Sequence, residues 1–132
     1  MSLRREIRVS GSGGQGIILI SKILAEAAAV YEDLNATQTQ SYGPEARGGS
    51  SRADVIISDI DIDYPRAEKL DLLLSLTQEA CDQYVVDLQP GGVLVLDSKY
   101  VTQVPEGDFR VHVLPITETA EVGLKKLLVA NI

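Results

Sequence analysis

Polar and apolar side chains alternate along Glu6-Ile7-Arg8-Val9 before the chain runs into glycines, which predicts a short first strand ending in a loop. From Gln15 the period changes. Ile17, Ile20, Leu24, Ala27 and Ala28 recur at helical spacing, with Ser21, Lys22 and Glu26 on another face, so a helix follows the glycines. A strand and a helix joined by a glycine loop make half of a βαβ unit. Residues 34–39 read as a second strand, and one proline with three glycines among residues 41–49 then breaks all periodicity. Residues 53–58 (ADVIIS) are strand-like and β-branched, and are placed to form a hairpin with the second strand across that loop.

Further on, residues 69–76 (KLDLLLSL) predict a buried strand after a turn at Tyr64-Pro65, and residues 78–88 a short helix carrying Cys81. Pro90-Gly91-Gly92 should end that helix and open VLVLDS, residues 93–98, an apolar run expected of a parallel strand covered on both faces. Residues 110–114 form another strand. The last predicted helix spans residues 117–132, with Thr117 as its cap and Glu118 and Glu121 in its first turns. It meets no stop signal, so the single domain over residues 1–132 is expected to be truncated at its C-terminus. The alternation of elements predicts an α/β fold: three layers, a mostly parallel sheet with helices on both faces, and a Rossmann-like glycine loop after the first strand.

Composition narrows the function. The 132 residues are 45% hydrophobic and 23% charged, as in ordinary globular domains, and 19 acidic against 12 basic residues give a net charge of −7. The basic residues are scattered, which argues against nucleic acid or an anionic membrane as partner. The apolar run nearest the N-terminus, residues 16–20, is far short of a spanning helix, and no secretory signal precedes it, so a cytoplasmic location is expected. A single Cys81 offers neither a disulfide framework nor the ligands of an iron–sulfur cluster, and reads as a small core residue. His112 alternates with Val111 and Val113 and reads as a surface histidine. Asp59, Asp61 and Asp63 imitate the start of a calcium loop, but Tyr64 and Leu70 occupy the positions that need Gly and Glu; they read as the solvated face of a strand.

Gly11, Gly13 and Gly16 match G-x-G-x-x-G, a pattern whose glycines let the backbone approach a phosphate at a helix N-terminus. A nicotinamide site also needs an acidic residue at the end of the second strand, about 20 residues on. Asn35, Ala36, Thr37 and Gln38 stand there, and a dehydrogenase is disfavoured.

GSGGQGIILISKILAEAA, together with QTQSYGPEARGGSSRADVIISD and IDYP, resembles the gamma subunit, or gamma domain, of the 2-oxoacid:ferredoxin (or flavodoxin) oxidoreductases. The likeness runs from Arg8 through Asn131. It implies a non-catalytic part of a complex that oxidatively decarboxylates a 2-oxoacid with coenzyme A, giving acyl-CoA, carbon dioxide and reduced ferredoxin. The second loop is more similar to 2-oxoglutarate enzymes than to pyruvate enzymes. Alpha, beta and in some complexes delta subunits would be the partners. They would hold thiamine diphosphate, Mg2+ and the iron–sulfur clusters, while this chain, which binds none of those cofactors alone, contributes to coenzyme A binding and packing. Carried over, the functional positions are Gly11, Gly13, Gly14, Gln15 and Gly16 in the first loop and Tyr42, Glu45, Arg47, Gly48 and Gly49 in the second. Both loops are expected at the C-terminal edge of the sheet, facing either coenzyme A phosphates or a partner subunit. Gln15 would donate an amide hydrogen bond; Arg47 would meet phosphate, or pair internally with Glu45. Two other readings stay open: a stand-alone nucleotide-binding module on the same scaffold, and a pyruvate- or indolepyruvate-type complex.

Overall fold

The computed structural model describes residues 3–12, 15–41, 50–62, 67–119 and 121. A six-stranded sheet runs in the order β2-β3-β1-β4-β5-β6. Its strands are β1 (Arg4–Gly11), β2 (Asn35–Ser41), β3 (Ser51–Ser58), β4 (Leu70–Ser75), β5 (Leu88–Asp97) and β6 (Phe109–Leu114). The ladders β1/β4, β4/β5 and β5/β6 are parallel, whereas β3 runs antiparallel to both β1 and β2. The predicted β2–β3 hairpin pairing is present. Because β3 opposes both neighbours, β2 points the same way as β1, and β1–α1–β2 is a split βαβ unit with β3 between its strands.

Alternation along the strands sorts the core into two faces. Helix α1 (Ile17–Glu26), continued by a π-helical turn at Ala27–Tyr31, covers one face, where Val9, Ile17, Ala53 and Leu76 are buried with Ile20, Leu24, Leu74 and Ile116 packed around them. Helix α2 (Gln78–Tyr84) covers the other over Ile56, Leu70, Leu73, Leu94 and Leu96, with Ala80, Cys81 and Tyr84 buried beneath it. The expected layers are therefore observed. Cys81 is a core residue, and burial, assisted by the charge of Asp82, pushes its thiol up to about 11.

Several local expectations are corrected. Ser21, expected on another face than the apolar stripe, is buried with it, its hydroxyl donating to the Ile18 carbonyl (2.6 Å) and accepting from Gln38 Nε2 (2.9 Å). Helix α2 is shorter than predicted. After a 3₁₀ turn at Val85–Asp87 the chain is already in β5, so Pro90-Gly91-Gly92 lies inside a strand. A register shift in the β4/β5 ladder and the positive φ of Gly91 (81°) absorb these residues, and Gly91 N–H donates to the Asp108 carbonyl. Asp59 belongs to no strand; its carboxylate accepts from the Leu3 amide. Thr117 is not a cap. Helix α3 (Ile116–Glu118) follows Pro115, and Thr117 lies within it with its hydroxyl donating to the buried Asp97 carboxylate. The Tyr64-Pro65 turn, Asp63 and the predicted helix beyond residue 121 lie outside the described residues.

Candidate functional site

Strand β1 ends at Gly11, and that end is where the site is built. An added Cβ at Gly11 would lie 2.5 Å from Gln15 Oε1, 3.1 Å from Ile17 Cδ1 and 3.1 Å from Leu76 Cβ, so glycine lets the Gln15 side chain fold closely over the end of the strand, and a larger residue would push it aside. Gln15 then ties the loop down. Its Oε1 accepts from the Ser12 amide (2.8 Å) and hydroxyl (3.2 Å), and its Nε2 donates to the Leu76 carbonyl across at the end of β4 (3.4 Å). Gly16 takes φ 81° to start α1, which has no side-chain cap and no acidic residue in its first turn. The first amides of α1 consequently have no intrahelical acceptor, and the helix dipole adds partial positive charge at the same edge.

Register brings the second motif's flanks to this place. Gly11 pairs with Ser51, and Ser41 pairs with Arg52, so the strand ends on either side of residues 42–49 adjoin the glycine end of β1. Of the predicted site residues, Gly11, Gln15 and Gly16 are thus gathered at one edge. Gly13, Gly14, Tyr42, Glu45, Arg47, Gly48 and Gly49 lie outside the described residues.

Beneath the edge, on the α2 side, is a charge cluster that sequence reasoning missed. Arg8, 1% exposed, donates from Nε to Asp54 Oδ1 (2.7 Å), from Nη2 to Asp54 Oδ2 (3.3 Å) and from Nη1 to Asp87 Oδ2 (2.6 Å). Burial by itself opposes the guanidinium charge, but the hydrogen bonds and charges of Asp54, then of Asp87, outweigh it and raise the pKa above the usual arginine value. The Tyr84 ring lies 5.0 Å from this guanidinium and 5.7 Å from that of Arg52. Burial raises the Tyr84 pKa, with Arg52 and Arg8 partly opposing the rise. The signal available in sequence was weak: Arg52 and Asp54 share strand parity, but their partners come from other elements. At the buried seam between β1 and β4, the Ser10 and Ser75 hydroxyls lie 3.1 Å apart and Ser10 Oγ also donates to the Leu74 carbonyl (3.0 Å).

A dinucleotide site is not what this arrangement makes. In the fingerprint fold the second strand lies beside the first and ends in the ribose-binding acid. Here β3 intervenes, which puts β2 about 10 Å from β1, and β2 carries no acidic residue. Among the described residues no cluster of three or more His, Cys, Asp or Glu could hold a metal ion, and no helix is long and apolar enough to cross a membrane. His112 lies exposed on β6.

Residues 6–132 match the family profile described as pyruvate ferredoxin/flavodoxin oxidoreductase. The 2-oxoglutarate synthase subunit KorC of Methanocaldococcus jannaschii is 48% identical over 134 residues, spanning 100% of this chain and 72% of that protein. The gamma subunit of keto/oxoacid ferredoxin oxidoreductase from Geobacter sulfurreducens superposes with a TM-score of 0.88 at 50% identity, covering 98% of this chain and 70% of that one. At 24% identity, 2-oxoglutarate:ferredoxin oxidoreductase from Magnetococcus marinus shares the fold, with a TM-score of 0.82 over 97% of this chain and 22% of that one.

Proposed function

We propose, from the premise that the chain belongs to the pyruvate ferredoxin/flavodoxin oxidoreductase family, that it serves as the gamma subunit of a 2-oxoglutarate:ferredoxin oxidoreductase. In this reading partner subunits hold thiamine diphosphate with Mg2+ and the iron–sulfur clusters. They decarboxylate the oxoacid, pass its electron pair to ferredoxin or flavodoxin and leave the acyl group on coenzyme A. The substrate reading rests on the likeness to 2-oxoglutarate synthase subunits.

What this chain contributes is a surface of backbone donors for coenzyme A. The observation that carries the reading is the junction at Gly11: a glycine end of a strand under the uncapped start of α1, beside the strand ends that flank residues 42–49. At such an edge, exposed backbone amides donate to phosphate oxygens. Gln15 supports it by stapling the loop to Leu76, while Arg47 supplies charge. A stand-alone nucleotide-binding module lacks support in the β2–β3–β1 order, for the reason given above.

The test is co-purification with the alpha, beta and delta subunits, followed by a panel of 2-oxoacids with coenzyme A and a viologen acceptor. Highest kcat/KM with 2-oxoglutarate supports the proposal; preference for pyruvate or indolepyruvate moves the chain to another complex of the superfamily. Purification as a monomer that binds a nucleotide unaided refutes the subunit reading. Arg47→Ala in the assembled complex should raise KM for coenzyme A.

A further inference from the structure

Two residues just beyond the glycine edge have no described function, and each is unusual on its own. Ser50 is 3% exposed, yet its hydroxyl has no hydrogen-bond partner among the described residues. A buried hydroxyl without a partner is destabilising by a magnitude that native folds seldom retain, and it calls for an explanation. Arg52, half-buried, touches the Tyr84 ring but makes no hydrogen bond or ion pair with the other described residues. The nearby carboxylates do not neutralise it directly: Asp54 gives both oxygens to Arg8, and Asp87 binds the same guanidinium.

By the alternation of β3, Arg52 falls with Asp54 and Ile56 on the α2 side of the sheet, opposite α1, and Ser50 directly precedes the strand. Arg52 pairs with Ser10 and Ser41, one step in from the Gly11–Ser51 pair, so it stands at the edge already described but on its other face, two residues from Ser50. Together they offer a hydroxyl and a forked guanidinium steadied by an aromatic ring, with no acidic side chain among the described residues bound to either. A tetrahedral oxyanion, with several acceptor oxygens, fits that donor set.

We infer that Arg52 and Ser50 form a phosphate-binding pair that holds a phosphate of coenzyme A on the α2 side of the edge, while the α1 side presents backbone amides. The inference rests on the gamma-subunit reading and adds to it a specific side-chain contact. Arg52 fixes ligand affinity through charge; Ser50 completes the phosphate's hydrogen bonds and regains a partner in doing so.

The experiment uses the assembled complex. Arg52→Gln should raise KM and calorimetric Kd for coenzyme A about tenfold or more, as expected for a lost charge-assisted bond, with KM for the oxoacid unchanged. Arg52→Lys should recover part of the loss. Ser50→Ala should weaken coenzyme A several-fold while leaving the melting midpoint unchanged or raised, because it deletes an unsatisfied hydroxyl. Inorganic phosphate should compete with coenzyme A in the wild type and lose that effect in Arg52→Gln. If the pair reads the 3′-phosphate, the preference for coenzyme A over its dephospho form collapses in the variant; if it reads the pyrophosphate, both affinities fall together. Coenzyme A affinity within twofold of wild type in both Arg52→Gln and Ser50→Ala overturns the inference and leaves the gamma-subunit reading standing. Arg52→Gln that blocks assembly overturns it in favour of a partner carboxylate. A wild-type complex without coenzyme A-dependent turnover overturns both.

Discussion

Replacing Asp54 by Asn tests whether the edge is held by a buried ion pair. Arg8 is 1% exposed and Asp54 7%, and two of the three hydrogen bonds that satisfy the guanidinium come from Asp54. Asp54→Asn leaves the buried cation with Asp87, whose side chain is 39% exposed and whose attraction water screens. Removing one partner of a buried pair costs about 3–5 kcal/mol; the surviving Asp87 contact puts this variant at the low end, about 3 kcal/mol. Asp87→Asn, which removes a partly solvated partner, should cost about 1 kcal/mol or less. The double variant Arg8→Met/Asp54→Leu withdraws both charges and should return to within about 1 kcal/mol of wild type, since apolar replacements of buried ion pairs are often neutral or stabilising. Urea unfolding of the full chain measures all four, with an unchanged m-value required for comparison. Asp54→Asn within about 1 kcal/mol of wild type, or a double variant worse than the single, refutes the account of a buried cation dependent on Asp54.

Three other outcomes follow from single contacts. Gly11→Ala forces a Cβ to within 2.5 Å of Gln15 Oε1 and against Ile17 and Leu76, and should destabilise by about 1–3 kcal/mol; an unchanged thermal midpoint contradicts the close approach. Thr77 caps α2 by accepting from the Ala80 amide (3.1 Å), so Thr77→Ala should cost about 1 kcal/mol in urea unfolding and Thr77→Ser far less. The Cys81 thiol, raised from 9.0 to about 11, should resist alkylation at pH 8 until the protein unfolds. Since the folded state holds that proton more tightly, the contribution is fully present below pH 9 and is lost as pH rises through 11. Stability of wild type relative to Cys81→Ala, measured across that window, should fall; a flat difference refutes it.

Periodicity revealed most strands because each is one amphipathic or apolar segment whose environment is set locally, as with Val9 between polar neighbours or the VLVLDS run. It failed where a distant residue decides. Ser21 reads as lying off the apolar face because Gln38, its partner on β2, lies 17 positions away. The Arg8 cluster joins positions 46 and 79 apart, and no local pattern announces such a pairing. Pro90-Gly91-Gly92 misleads for a different reason. These residues usually end elements, but a parallel ladder with a register shift accommodates them within β5. At the candidate site, the turn from β1 into α1 was legible because the close approach at Gly11 and the positive φ of Gly16 are backbone features written as glycine. Ser50 and Arg52 were not, since only the fold shows that one lacks a partner and that the carboxylates near the other are already bound.

The strand order also explains why the flanks of the second motif meet the glycine end of β1 at one edge of the sheet. In a parallel βαβ succession the chain leaving β2 would cross over through a helix and return at the opposite end of the sheet. Here the next strand, β3, is antiparallel to β2, slots between β2 and β1 and begins beside the end of β1, with Ser51 opposite Gly11. The antiparallel step brings both flanks of residues 42–49 to the edge where α/β folds place ligands. It also separates the glycine end of β1 from the end of β2 by one strand, removing the ribose-binding position of a dinucleotide fold and filling the gap with Ser50, Ser51 and Arg52. The same topological step that excludes a nicotinamide site thus supplies the groups assigned to a phosphate.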